Sequence, residues 1–247
     1  MIRRGLLQSL SVIFISLLGP LSVYAGDDAV ETGRLLAILL DAGRGAVAAN
    51  QPLINDASKG DKGCTPDVFA QQLTEKFKGR TGVDLSSLKG SGVPESAQKL
   101  LPELVAAAKK TVADNQATIN KPGVGYKGFT PAHFGTQTAA GFTAKTSIYM
   151  KQTTTDGLLR NPKNKADDFE AGMMKKLGDP SYPRQGDKIA SETVGGDVRV
   201  MLPLFYGKGC MGCHGGPKGD TDVSGYKKEG ANEGDLGGAV SVKLPAK

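Results

Sequence analysis

Apolar positions in the first half of the chain follow a helical period. From Asp28 to Ala49, Val30, Leu35, Ile38, Leu39, Ala42, Ala46 and Val47 recur near helical spacing, with alanine between them and no proline, which predicts a first helix. The polar stretch Gln51 to Gly63 predicts a loop. Thr65-Pro66-Asp67 then places a capping residue ahead of proline at the first helical position, so a second helix is expected from Pro66 to about Lys78. Gly79 to Gly92 is rich in turn residues. Leu100, Leu101, Leu104, Val105, Ala108 and Val112 predict a third helix over Pro94 to Asn115, its regular part beginning at Pro102.

After Asn120 the texture changes. Lys121 to Gly141 is glycine, threonine and aromatic residues, and no element is assigned there. Phe142 to Met150 alternates weakly and carries Thr, Ile and Tyr, which suits a strand. Asn161-Pro162 is a turn, and Ala166 to Leu177 is a short helix that Gly178-Asp179-Pro180 stops. Lys188 to Val194 and Val198 to Phe205 flank Gly195-Gly196-Asp197 as a hairpin, and Leu236 to Leu244 alternates as a last strand. Helices first and antiparallel strands later predict an α+β domain.

The amino terminus reads as an address. Met1 to Arg4 is basic, Gly5 to Leu18 is largely apolar, Gly19-Pro20 breaks the run, and Val23-Tyr24-Ala25 sets small residues before Gly26. Residues 1–25 are therefore expected to be a secretory signal peptide, with 26–247 as a single exported domain in a bacterial periplasm. The apolar run is shorter than the ~20 residues a spanning helix needs, and no later segment approaches that length.

Composition narrows the classes. With 39% hydrophobic and 23% charged residues the chain is globular rather than disordered, and three cysteines do not make a disulfide scaffold. The 34 glycines, about twice the usual ~7%, predict many tight turns. A net charge of +6 is spread among interspersed acids and bases without a basic stripe, so nucleic acid is not an expected partner.

Cys210-Met211-Gly212-Cys213-His214 carries the chemistry. C-x-x-C-H is the attachment signature of c-type haem: two thiols add to the two vinyl groups while the adjacent His becomes the proximal iron ligand. The export signal places the chain where such haem is attached. Two other readings stand beside it. A disulfide oxidoreductase would open a helix at the first Cys, whereas Gly215-Gly216-Pro217 forbids a long helix here. Zinc could draw on Cys64, Cys210, Cys213 and His214, although neighbouring Cys and His rarely face one metal. With two thiols used, Cys64 is left unpaired, as buried packing, an intermolecular disulfide or an iron ligand. For the second axial position, spacing alone weighs Cys64 and His133 equally, with methionine behind them.

The last third resembles a known family, the single-haem, PAS-like periplasmic c-haem domains, found alone in cyanobacteria and as sensing modules of bacterial kinases and chemoreceptors. The resemblance rests on Arg160-Asn161-Pro162-Lys163-Asn164 with Asp167, Phe169 and Glu170, on Cys210 to His214 with Gly215 and Pro217, and on Tyr226 and Gly234 to Val242. It covers about Phe142 to Leu244. Lys227 to Glu233 stands as an insertion before the Gly234-Asp235 turn. The resemblance implies a PAS-like five-stranded antiparallel sheet with N-terminal helices packed around one covalently attached haem. It also implies His214 as proximal ligand and, from the early helical region, Cys64 as the second metal ligand. Asn161 and Asn164 are expected to fix a turn and Asp167 to cap a helix, while Tyr226, Arg160 and Arg199 are candidates to bond a haem propionate.

These readings converge on a periplasmic c-type monohaem cytochrome acting as a redox or small-gas (NO or CO) sensor. A soluble electron-transfer cytochrome c is the alternative. An enzyme such as a peroxidase is a third class, with only His133 to support it. A sensor of this kind would signal through a redox partner or a membrane signalling protein, since the sequence holds no kinase or methyl-accepting segment.

Overall fold

A computed structural model describes residues 21–246. The expected signal peptide lies for the most part outside the described residues. Among those described, no helix is long and apolar enough to cross a membrane.

The helical half is built on α1 (Leu21–Ile54), longer at both ends than the pattern predicts. It runs through Pro52, close enough to the C-terminus that the one missing N–H bond does not stop it. Leu35, Leu36, Ala37, Ile38, Leu39 and Leu40 are all buried in succession, so the middle of α1 is covered on every side. Its neighbours are α2 (Pro66–Thr81), α3 (Glu95–Asp114), α5 (Pro131–Thr146) and the sheet, with α4 (Gln116–Ile119) a single turn after α3. Gly33 lets α1 lie against the sheet, because a Cβ there would meet Val200 Cγ2 at 2.7 Å.

Two helix starts share one device. The Thr65 side chain accepts from Val68 N–H with Pro66 in the first turn, and the Thr130 side chain accepts from His133 N–H with Pro131 in the first turn. The second start corrects the sequence reading, because Phe142 to Thr146 continues α5 rather than opening a strand. Phe134, Thr138 and Phe142, one residue in four, form its buried face. The third helix also differs: it is continuous from Glu95 with Pro102 inside it, rather than regular only from Pro102.

The sheet holds β1 (Tyr149–Thr153), β2 (Ala190–Val194), β3 (Asp197–Phe205) and β4 (Leu236–Pro245), all antiparallel, in the order β1-β4-β3-β2. The described residues thus hold four strands where five were expected. After β1 the chain makes only an isolated bridge, Thr154 with Lys165. Between them Asn161 caps a 3-10 turn over Pro162–Asn164, which breaks the stretch before it can continue as a strand.

Both sheet faces are covered at the centre. Val240, Val242 and Leu244 join the main core with α1 and α5, while Ala239 and Met201 pack against Met173, Met174 and Leu177 of α6 (Asp168–Gly178). Asp167 caps α6 as expected, in a capping box with Glu170. The motif sits between β3 and β4, in a 3-10 turn over Lys208–Cys210 that continues into α7 (Met211–His214).

Candidate functional site

The motif folds as consecutive tight turns. Cys210 N–H donates to Gly207 O at 2.9 Å and Gly215 N–H to Met211 O at 3.0 Å, so Cys210, Cys213 and His214 lie on about one turn. All three cysteines are free thiols, and Cys210 and Cys213 are half-buried. Burial, reinforced by Asp222, pushes the Cys213 thiol above its ordinary pKa.

His214 is the most constrained member. Its ring stacks on Tyr206 with centroids 4.6 Å apart and 26° between planes. Its Nδ1 lies 2.9 Å from Glu229 Oε2 and 3.2 Å from the Tyr206 hydroxyl. Tyr206 is seated against β4 at Gly237, where any Cβ would meet its ring at 2.6 Å. Burial drives the Tyr206 phenol up to about 12.

Electrostatics fixes the tautomer of His214. Arg160 Nε and Nη2 donate to Glu229 at 2.9 and 3.1 Å. Burial works to raise the Glu229 carboxyl, but the bonds from Arg160, from its own backbone and from His214 outweigh it and hold it below the usual value. An ionised carboxylate only accepts, so the proton of the 2.9 Å contact sits on His214 Nδ1. Burial lowers the histidine, and the Glu229 bond only partly offsets that. The ring is therefore neutral near pH 7, with the Nε2 lone pair free for a metal.

The other predicted residues are placed as follows. Arg160 does not stand free for a propionate: it also donates to Asp222 at 2.6 Å and to the Cys213 carbonyl at 3.0 Å. Tyr226 donates its hydroxyl to the Arg160 carbonyl at 3.0 Å. Arg199 lies on the α6 side, over Phe169 and bonded to Asp167 at 2.9 Å, away from the motif. Asn161 accepts from Lys163 N–H and fixes its turn as expected, whereas the side chain of buried Asn164 bonds the Thr136 hydroxyl of α5 rather than backbone.

Cys64 and His133 are not in contact with the motif. Cys64 sits in a niche of α1, α2 and α3 residues, with Sγ 3.8 Å from Asn50 Oδ1 and a cavity of about 10 Å³, room for roughly one water. Burial pushes its thiol up. His133 is exposed on the first turn of α5, its ring against Phe129. The segment after α4 is tied to the Cys64 side, where Asn120 accepts from Lys62 N–H and Lys127 N–H donates to Asn55 Oδ1.

Sequence reasoning missed Tyr206 and Glu229. Nothing in the pattern marks a lone tyrosine after a strand, and Glu229 lies in the polar insertion, 15 residues from its histidine. The donor set suits the group the motif calls for: two free thiols able to form thioethers and one neutral imidazole able to ligate iron. Among the described residues, no three His, Cys, Asp or Glu side chains are grouped so as to hold a metal ion.

A protein-family model described as Tll0287-like matches residues 24–245. Among solved structures, the chain is similar to the cyanobacterial haem protein Tll0287, at 14% identity over 62% of this chain and 96% of that one, with a TM-score of 0.43. No curated protein matches.

Proposed function

Because the chain belongs to the Tll0287-like family, we propose that it is a haem-binding protein, carrying one c-type haem attached through Cys210 and Cys213 with His214 as an axial ligand. The observation that carries this reading is His214 itself. A charged carboxylate holds its Nδ1–H and leaves Nε2 free, in the residue that directly follows two free thiols at the attachment spacing. In this reading Cys64 is the second residue that would hold the iron.

Bound haem supplies one-electron chemistry and a site for small gases. The chain's contribution is to orient the imidazole, bury its partners and set the charge around it. The role we infer is redox or gas sensing in the periplasm, with His214 and Cys64 as the residues that would hold the iron and a thiolate that would make its binding sensitive to oxidation state. An electron carrier differs in keeping both axial ligands in both oxidation states.

The test is the absorption spectrum of the protein made with c-type haem maturation, oxidised and reduced, with and without CO. A haem band that survives denaturation and acid-acetone extraction is expected, and its absence overturns the haem reading. CO binding on reduction supports the sensor, and indifference to CO supports the carrier.

A further inference from the structure

We propose that Glu229 is a positioning residue that acts on the haem iron through His214, making the imidazole a stronger electron donor and favouring the ferric state. The inference rests on the haem reading above and adds to it a residue outside the C-x-x-C-H motif.

The contact is built. Glu229 Oε2 takes the Nδ1–H at 2.9 Å, and the carboxylate is gripped from behind by Arg160 through Nε at 2.9 Å and Nη2 at 3.1 Å. Arg160 is fixed in turn by Asp222, whose side chain is fully buried, and by the Cys213 carbonyl. The insertion that carries Glu229 is sewn onto the motif, with Ala231 N–H donating to His214 O at 2.8 Å and Gly219 N–H to Lys228 O at 2.9 Å. Tyr206 closes the other side of the ring. A surface ion pair requires none of this scaffolding.

The charge count gives the direction. Asp222 and Glu229 carry two negative charges against one on Arg160, so the cluster behind the imidazole is net negative by one. A negative charge hydrogen-bonded to Nδ1–H raises the basicity of Nε2 and stabilises the more highly charged iron. Arg160 tempers the effect without cancelling it, because it is shared between two carboxylates.

The experiment is a redox titration of the haem-loaded full chain and of Glu229→Gln, Glu229→Asp and Glu233→Gln. Glu229→Gln keeps the shape and the covalent haem but loses the charge. Its midpoint is expected to rise by the equivalent of a tenfold change in the ferrous-to-ferric ratio, about 59 mV for one electron. Glu229→Asp, which draws the carboxylate back by one methylene, is expected to shift the same way by less, and it decides alone if the Gln variant is not loaded. Exposed Glu233, on the same loop, is expected to leave the midpoint unchanged. A wild-type midpoint in the loaded Glu229 variants, or an equal shift in Glu233→Gln, overturns the proposal while leaving the haem reading intact. Wild-type protein without covalent haem overturns both.

Discussion

Arg160 Nη2 donates to the carbonyl oxygen of Cys213 at 3.0 Å, so a residue 53 positions earlier in the chain holds the backbone between the second thiol and the histidine. The same guanidinium joins Asp222 and Glu229. Replacing it strands a fully buried carboxylate and a largely buried one. Arg160→Met is expected to cost about 3 kcal/mol, the range for breaking a buried pair, read from urea unfolding of the protein. A loss below about 1 kcal/mol, as for exposed pairs, would show that water screens the cluster.

Asp222 gives the cluster a pH signature. Burial opposes its charge, but bonds from Ser224, Arg160 and the backbone of Ser224 and Tyr226 prevail and hold its carboxyl at about 2, below the ordinary 3.8. A depressed carboxylate stabilises the fold above its unfolded pKa, and that contribution is lost as pH falls from about 4 towards 2. Between those values the unfolded chain binds more protons, so stability rises with pH. Unfolding free energy followed from pH 5 to 2 should fall more steeply in wild type than in Asp222→Asn. Parallel curves would place the proton uptake elsewhere.

Gly237 and Tyr206 form a second lever on His214. The ring lies between the Gly237 backbone and the imidazole, and a methyl at 237 would stand 2.6 Å from it. Gly237→Ala is expected to destabilise by about 1–3 kcal/mol, as overpacking does. The cost should largely vanish when combined with Tyr206→Ala, because the pair is in contact. An undiminished cost in the double variant would trace the effect to the strand rather than to the ring.

Much of the fold was legible, and its misses have physical causes. Thr65-Pro66 announces a helix start, whereas Thr130-Pro131, the same device, is masked by Gly135, Gly141 and several threonines that lower helix propensity around it. Spacing of Phe134, Thr138 and Phe142 held the better signal. Thr130→Ala should cost about 1 kcal/mol in thermal or denaturant unfolding, and no loss would show that packing of that buried face alone sets the start of α5. The motif and its histidine were visible from adjacency in sequence. Their environment was not, since Arg160, Tyr206 and Glu229 meet His214 only through tertiary contacts.

Cys64 poses the remaining question of ligation. Its thiol rests in an apolar niche beside Asn50, and burial holds it protonated. Iron would therefore have to displace that proton to bind sulfur, and a net loss of positive charge from the ferric centre accompanies the exchange. Asn120 accepts from Lys62 N–H and Lys127 N–H donates to Asn55 Oδ1, so the segment between them braces the loop that carries Cys64. If Cys64 is the second ligand, Cys64→Ala changes the ferric spectrum and opens the oxidised protein to added imidazole, while His133→Ala, on an exposed helix turn, changes neither. A ferric spectrum identical in wild type and Cys64→Ala removes Cys64 from the iron. The redox-labile sensor reading would then lose its thiolate, and the fixed-ligand electron carrier would become the better account of the same haem.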